Sequence, residues 1–209
     1  MTLTAPKDGW RVRDVAAATG LSLSAEAESA VSRWLDTLAT WNARMDLTAA
    51  RTSDDAAELM LADAFVLASH VPGGVSLVDV GTGAGAPGLA LALARPDLRV
   101  TLVEPLGKRV SFLRTVIGTL RRTDVVLVPQ RGEDVSSLFD VAVSRATLDP
   151  ADWLALAARL VSPGGSAWAL VASRDAVPAP PASMVADVVV NYDLPFSKKS
   201  RVAACFRRI

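Results

Sequence analysis

Apolar positions along the chain follow two different patterns that meet near residue 70. Before it the spacing is helical. Val31, Trp34, Leu35, Leu38, Trp41 and Met45 recur at intervals of three and four, laying one apolar stripe along a helix. Ser24 precedes that stripe, a hydroxyl placed to cap the first turn, and Glu26 and Glu28 follow where the helix dipole favours carboxylates. A second helix is expected from near Asp54 through Met60, Leu61, Ala64, Phe65 and Leu67, and Val71-Pro72-Gly73-Gly74 closes the region with a turn. Trp34 and Trp41 read as core residues, and His70 as the end of a helix.

From Val75 onward short apolar runs alternate with helical stretches. Strands are expected at 75–80, 99–104, 124–128, 139–144 and 166–172, with helices near 87–94, 108–120 and 150–160. Ser162-Pro163-Gly164-Gly165 marks a turn before the fifth strand, and residues 173–183, with Pro178, Pro180 and Pro181, read as a loop. Two final runs, 185–191 and 201–207, leave no room for a crossover helix and are expected to pair antiparallel. The whole reads as an α/β fold: a Rossmann-like, mostly parallel seven-stranded sheet with an antiparallel C-terminal hairpin. Residues 1–70 form an N-terminal helical extension and residues 71–209 a ligand-binding domain.

Composition narrows the setting. At 209 residues and 51% apolar, the chain can bury one substantial core. Lys plus Arg equals Asp plus Glu at 22 each, which argues against a general polyanion binder. The balance is uneven, with 6 basic against 10 acidic residues in 1–74 and 16 against 12 thereafter, a mildly basic C-terminal part compatible with RNA. The single cysteine, Cys205, excludes a disulfide within this chain and a thiolate metal cage, and its apolar flanks read as a strand. No apolar run approaches 18 residues, and the first residues lack a signal-peptide pattern, so no membrane is expected and the expected location is the cytoplasm.

The candidate chemistry lies at Leu77-Val78-Asp79-Val80-Gly81-Thr82-Gly83-Ala84-Gly85-Ala86-Pro87-Gly88, followed by Val100-Thr101-Leu102-Val103-Glu104. Gly81, Gly83 and Gly85 let the backbone turn sharply and lie against a ligand. Glu104, at the end of the next strand, is placed to accept the hydroxyls of a ribose. Two cofactor classes share this unit, and Gly83 to Gly88 formally satisfies the dinucleotide pattern. Three features favour S-adenosylmethionine (SAM) over NAD. Asp79 suits an ammonium better than a phosphate, Pro87 removes an N–H that a pyrophosphate would use, and the lone His70 and Tyr192 stand far in sequence from the loop.

Three segments then resemble the RsmG (GidB) 16S ribosomal RNA methyltransferases: Trp41-Asn42-Ala43-Arg44-Met45-Asp46-Leu47-Thr48; the stretch from Val78 through Arg95-Pro96-Asp97 to Glu104-Pro105-Leu106-Gly107-Lys108-Arg109-Val110-Ser111-Phe112-Leu113; and Phe139-Asp140-Val141-Ala142-Val143-Ser144-Arg145-Ala146. The resemblance implies a class I SAM-dependent methyltransferase fold. It implies SAM contacts at Gly81, Ala86 and Arg145, the adenine edge at Gly132 and Glu133, and Glu104 on the ribose. It further implies methylation of a guanine N7 in 16S ribosomal RNA or the small ribosomal subunit; a monomer is expected. Guanine N7 is an unprotonated lone pair, so positioning rather than base catalysis is expected, with Arg145 as the residue that binds or stacks on the base. The chain departs from the family at Leu59 and Met60, where Arg and His are usual, and at Val171 and Val202, where Lys and His are usual. Each lost cation removes a phosphate contact. Another RNA or a small molecule as acceptor, or a SAM-binding protein without transferase activity, are the alternatives.

Overall fold

The two long N-terminal helices begin where the sequence supplies caps. In the computed structural model, which describes residues 3–209, α1 spans Val12–Ala18, α2 Ala25–Met45 and α3 Ser53–Ala68. The Ser24 hydroxyl accepts the Ala27 N–H at 3.2 Å and opens α2. Thr52 and Asp55 cap α3 reciprocally: the Thr52 hydroxyl accepts the Asp55 N–H at 3.1 Å and the Asp55 carboxylate accepts the Thr52 N–H at 3.1 Å. One face of α2 is buried through Val31, Trp34, Leu35, Leu38 and Ala39. α3 is apolar nearly all round because it packs between neighbours on several sides, and it carries Glu58 and Asp63 into the interior.

The remaining elements are β1 Ser76–Val80, α4 Gly88–Ala94, β2 Arg99–Val103, α5 Gly107–Thr119, β3 Val126–Val128, β4 Phe139–Arg145, α6 Pro150–Leu160, β5 Val161–Val171, β6 Met184–Asp193 and β7 Ser200–Arg208. They build one seven-stranded sheet in the order β3-β2-β1-β4-β5-β7-β6. β1 to β5 run parallel, β7 is antiparallel to β5, and β6 closes the edge antiparallel to β7. This is the expected seven-stranded arrangement with its terminal hairpin. Two details differ. The turn at Ser162–Gly165 is absorbed into β5 as a detour, with Phe139 paired to Val161 and Val141 to Ser166. The proline-containing loop holds a 3-10 turn at Arg174–Ala176.

Alternate strand residues face opposite layers. Leu77, Val141, Trp168 and Ala203 join a core with α1 to α5, whereas Val78, Ala142, Ala167 and Ala204 join a second core with α6. The N-terminal helices therefore share the larger core with the sheet. Cys205 sits in that core, where burial pushes its thiol up to about 11 and removes it from thiolate chemistry at neutral pH.

Candidate active site

From β1 the chain crosses to β2 on one side while β4 lies on the other, so the strand order reverses at β1 and opens a crevice at the carboxyl ends. A cleft of about 390 Å³ occupies it. Its walls include Gly81, Thr82, Gly83 and Ala86 from the loop after β1, Glu104 and Arg109 after β2, and Arg145 and Thr147 after β4. The segment after α2 contributes Leu47 and Thr48, and α3 contributes Leu59 and Met60.

The loop is held from below and behind. Gly81 and Gly83 adopt φ of +72° and +62°, which only glycine takes without strain. A Cβ on Gly81 would meet the Thr147 side chain at 2.3 Å, whereas one on Gly83 would meet nothing closer than 3.9 Å and would stand in the cleft. The Trp34 indole N–H donates to the Ala84 carbonyl at 3.1 Å, fastening the loop to α2. Trp41, packed edge-on against Phe112 at 5.7 Å between centroids, belongs to the core as expected.

Glu104 is 1% exposed, yet it is well partnered. Oε2 accepts the Gly83 N–H at 2.9 Å and Oε1 accepts the Leu106 N–H at 2.9 Å, with an Arg109 guanidinium nitrogen 3.7 Å from Oε2. Two backbone donors use about half of the carboxylate's acceptor capacity and leave the rest to the cleft. Two buried groups in the wall, Thr82 Oγ1 and Arg109 Nε, make no hydrogen bond. Unpaired polar atoms, a glycine cradle and a carboxylate at a strand end fit a polar nucleoside ligand.

Asp79 lies beneath this surface and not on it. It is wholly buried, and its Oδ2 accepts the Gly88 N–H at 2.7 Å while Oδ1 has no partner. Burial raises its carboxyl to about 6, opposed by the Gly88 N–H that it accepts. The ammonium-facing position expected from the sequence is occupied by the loop's own backbone. Gly85 packs against Leu89 and Trp34, behind the loop. Gly132 opens a 3-10 turn, Gly132–Asp134, where a Cβ would meet Val80 at 2.5 Å, and Glu133 is exposed on the same turn. Among the sequence-derived candidates, the cleft wall thus gathers Gly81, Gly83, Ala86, Glu104 and Arg145, and it excludes Asp79, Gly85, Gly132 and Glu133.

Arg145 ends β4 with its guanidinium pointing to α3. One nitrogen donates to the Leu59 carbonyl and to Asp63 Oδ2 at 3.0 Å. The other Asp63 oxygen accepts the Tyr192 hydroxyl at 2.6 Å, and burial followed by the Asp63 charge raises that phenol well above its ordinary value. Neither Asp79 nor Glu104 is its ion-pair partner among the described residues. This Arg145–Asp63–Tyr192 chain joins three elements far apart in sequence, so periodicity gave no sign of it.

The Trp41-Asn42 motif carried a likeness in sequence but no role. In the fold, Asn42 Oδ1 accepts the Leu47 and Thr48 N–H groups at 2.7 and 2.9 Å, bending the chain after α2 into the cleft wall. Asp46 takes the left-handed conformation that this bend requires. Lys108 clamps the same bend from the start of α5 through the Met45 carbonyl at 3.0 Å. His70 lies in the turn just after α3 and packs near Trp168. Of the C-terminal cations, Arg207 pairs with Asp187 and Arg208 with the Val161 carbonyl, at the far side of the hairpin. The described residues contain no cluster able to hold a metal ion and no helix long and apolar enough to cross a membrane.

A family model described as GidB, rRNA small subunit methyltransferase G, matches residues 27–202. The ribosomal RNA small subunit methyltransferase G of Anaeromyxobacter dehalogenans strain 2CP-C is 35% identical over 201 residues, covering 91% of this chain and 93% of that protein. The protein of the same description from Methylobacillus flagellatus is 38% identical over 148 residues, covering 70% and 72%. The solved N-methyltransferase NodS from Bradyrhizobium japonicum WM9, in complex with S-adenosyl-L-homocysteine, shares the fold with a TM-score of 0.52 at 16% identity over 68% of this chain and 81% of NodS. The sheet order, the terminal hairpin and this neighbour make the fold that of class I SAM-dependent methyltransferases. The chain belongs to the GidB family, rRNA small subunit methyltransferase G.

Proposed function

We propose that the protein methylates N7 of a guanine in 16S ribosomal RNA, acting as a monomer in the cytoplasm with SAM as methyl donor. The observation that carries this reading is the cleft at the β1/β4 reversal, formed within a chain that matches the family from residue 27 to 202. The residues fit the donor: a glycine-lined floor at Gly81 and Gly83, free acceptor capacity on Glu104, and unpaired buried groups at Thr82 and Arg109. Glu104 is assigned the ribose, Gly81, Gly83 and Ala86 the close backbone contacts, and Gly132 with Glu133 the adenine edge beyond β3. Asp79 and Gly85 act on the donor indirectly, by fixing the loop from behind.

Bound there, SAM supplies an electrophilic methyl group, which a guanine N7 lone pair takes without a general base. The protein's own contribution is placement and exclusion of water. Arg145 presents a planar fork to the base. Its pairing with Asp63 cancels the positive charge that would otherwise oppose charge developing on the guanine. Leu59 and Met60, in the positions where the family resemblance calls for Arg and His, make one cleft wall apolar. Phosphate contacts are therefore fewer, and affinity for RNA depends less steeply on salt.

Tritiated methyl transfer from SAM to 30S subunits, run beside deproteinised 16S RNA and a small-metabolite pool, tests the reading. Incorporation into RNA that maps to a guanine N7 is expected. Tight SAM binding with no incorporation into any RNA overturns it.

A further inference from the structure

A second cavity of about 240 Å³ adjoins the cleft and shares Leu59, Arg145 and Ala146 with it. Its deeper wall carries two carboxylates from α3, Glu58 and Asp63, each 6% exposed. Glu58 Oε1 accepts the Phe196 and Ser197 N–H groups at 2.6 and 2.9 Å and so caps the turn between β6 and β7. Oε2 makes no hydrogen bond among the described residues. This second oxygen keeps contact with the cavity space and so has acceptor capacity for a donor placed there. Arg145 stands at the junction of the two cavities. One guanidinium nitrogen is committed to Leu59 and Asp63, and the others have no partner among the described residues. Arg201 lines the same cavity and pairs with no carboxylate within 4.0 Å among the described residues.

We infer that this second cavity receives the acceptor base and selects guanine, with Glu58 reading its donor edge and Arg145 its carbonyl oxygen. The inference rests on the functional reading above and adds the residues that choose the base. Guanine presents N1–H and N2–H₂ side by side as donors, matched by an acceptor-only carboxylate, with O6 next to them as an acceptor matched by Arg145. Adenine offers the reverse, an acceptor at N1 and a donor at N6, so it would set acceptor against carboxylate and donor against guanidinium. A guanine gripped by that edge turns its imidazole ring away from Glu58, and N7 faces the shared wall toward the cleft. An Arg145 donor directed to O6 leaves the N7 lone pair free. Arg201 supplies a cation for the phosphate of the extruded nucleotide.

Glu58→Gln separates reading from support, because the amide oxygen still accepts the Phe196 and Ser197 N–H groups while an NH₂ replaces Oε2. Melting temperature and calorimetric SAM affinity should stay near wild type, and kcat/KM on 30S subunits should fall about 10- to 100-fold, the range of one good two-bond base contact. Reconstituted subunits carrying inosine at the methylated position lack the N2 amino group. They should cost the wild type about tenfold and the variant no further loss. Val171→Phe fills the cavity from β5 and should abolish transfer with SAM binding retained, which covers the case of a Gln variant that fails to fold. Wild-type transfer with an undiminished Glu58→Gln rate, or an inosine penalty equal in both proteins, overturns this inference alone. Absence of transfer by the wild type overturns the functional reading and this inference with it.

Discussion

Asp79 and Arg145 are both charged side chains at strand ends, and their surroundings give them opposite characters. Asp79 is sealed under the loop, with a carboxyl raised to about 6 and one oxygen unpaired. Its unfolded counterpart titrates near 3.8, so between these values the native state binds the proton more tightly. Stability is full below the lower value, falls as pH rises through about 6, and stays reduced above it. Two units correspond to roughly 3 kcal/mol at most. Asp79→Asn keeps an oxygen for the Gly88 N–H and offers an NH₂ to the unpaired Thr82 hydroxyl. Urea titrations should therefore show the variant gaining on wild type by up to about 3 kcal/mol between pH 4 and pH 8. A difference independent of pH would contradict the buried, ionisable Asp79 described here. Arg145 is neutralised by Asp63, so truncation to Ala would strand a buried carboxylate and confuse stability with chemistry. Arg145→Lys keeps the charge and loses the planar fork. It should melt near wild type and transfer methyl groups to 30S subunits at least tenfold more slowly. Full activity in the Lys variant would remove Arg145 from the assigned role.

α2 shows how an element acts on a site it barely touches. Its Trp34 fills the space behind Gly85 and ties the Ala84 carbonyl, which supports the curvature of the glycine loop from behind. Trp34→Phe preserves most of the packing and removes one buried hydrogen bond, worth about 1 kcal/mol. SAM affinity by calorimetry should fall about fivefold, with the melting transition still cooperative. An unchanged affinity would show that the loop holds itself. Most helices and strands, and the terminal hairpin, were legible because they are written in local periodicity, with a cap where one exists: Ser24 opens α2 as the sequence indicates, and β6 and β7 pair as their short connection demands. The glycine loop and Glu104 were legible for the same reason, since both lie within one strand-turn-helix-strand unit. The partner of Arg145 was not, because Asp63 and Tyr192 come from 82 residues earlier and 47 later and meet only through the sheet order. Asp79 was misplaced because a sequence shows a carboxylate near a loop without showing which side of the backbone it takes.

Across the molecule, residues 3–20 bind together parts that the sheet alone leaves separate. Leu3, Trp10, Val12 and Val15 are buried in the same core as α3 and the strands. The Trp10 indole N–H donates to Asp36 on α2 at 2.7 Å, and Arg11 both pairs with Asp54 at the start of α3 and stacks on Phe196 in the β6–β7 turn at 4.0 Å. That turn is itself capped by Glu58 of α3. The exposed ion pairs add little. The apolar burial dominates: four side chains at roughly 1.5–3 kcal/mol each amount to about 6–12 kcal/mol, comparable with the ~5–15 kcal/mol that holds a typical domain folded. Removing residues 1–21 should therefore abolish the cooperative thermal transition. Far-UV circular dichroism should retain part of the helix and strand signal while a hydrophobic dye binds the uncovered α3. The wall of the second cavity stands on α3 and the β6–β7 turn, so methyl transfer should vanish along with the transition. A truncated chain that melts sharply near the full-length temperature and still transfers methyl groups would show that the N-terminal segment is an appendage and that the sheet with α3 to α6 is sufficient for the fold.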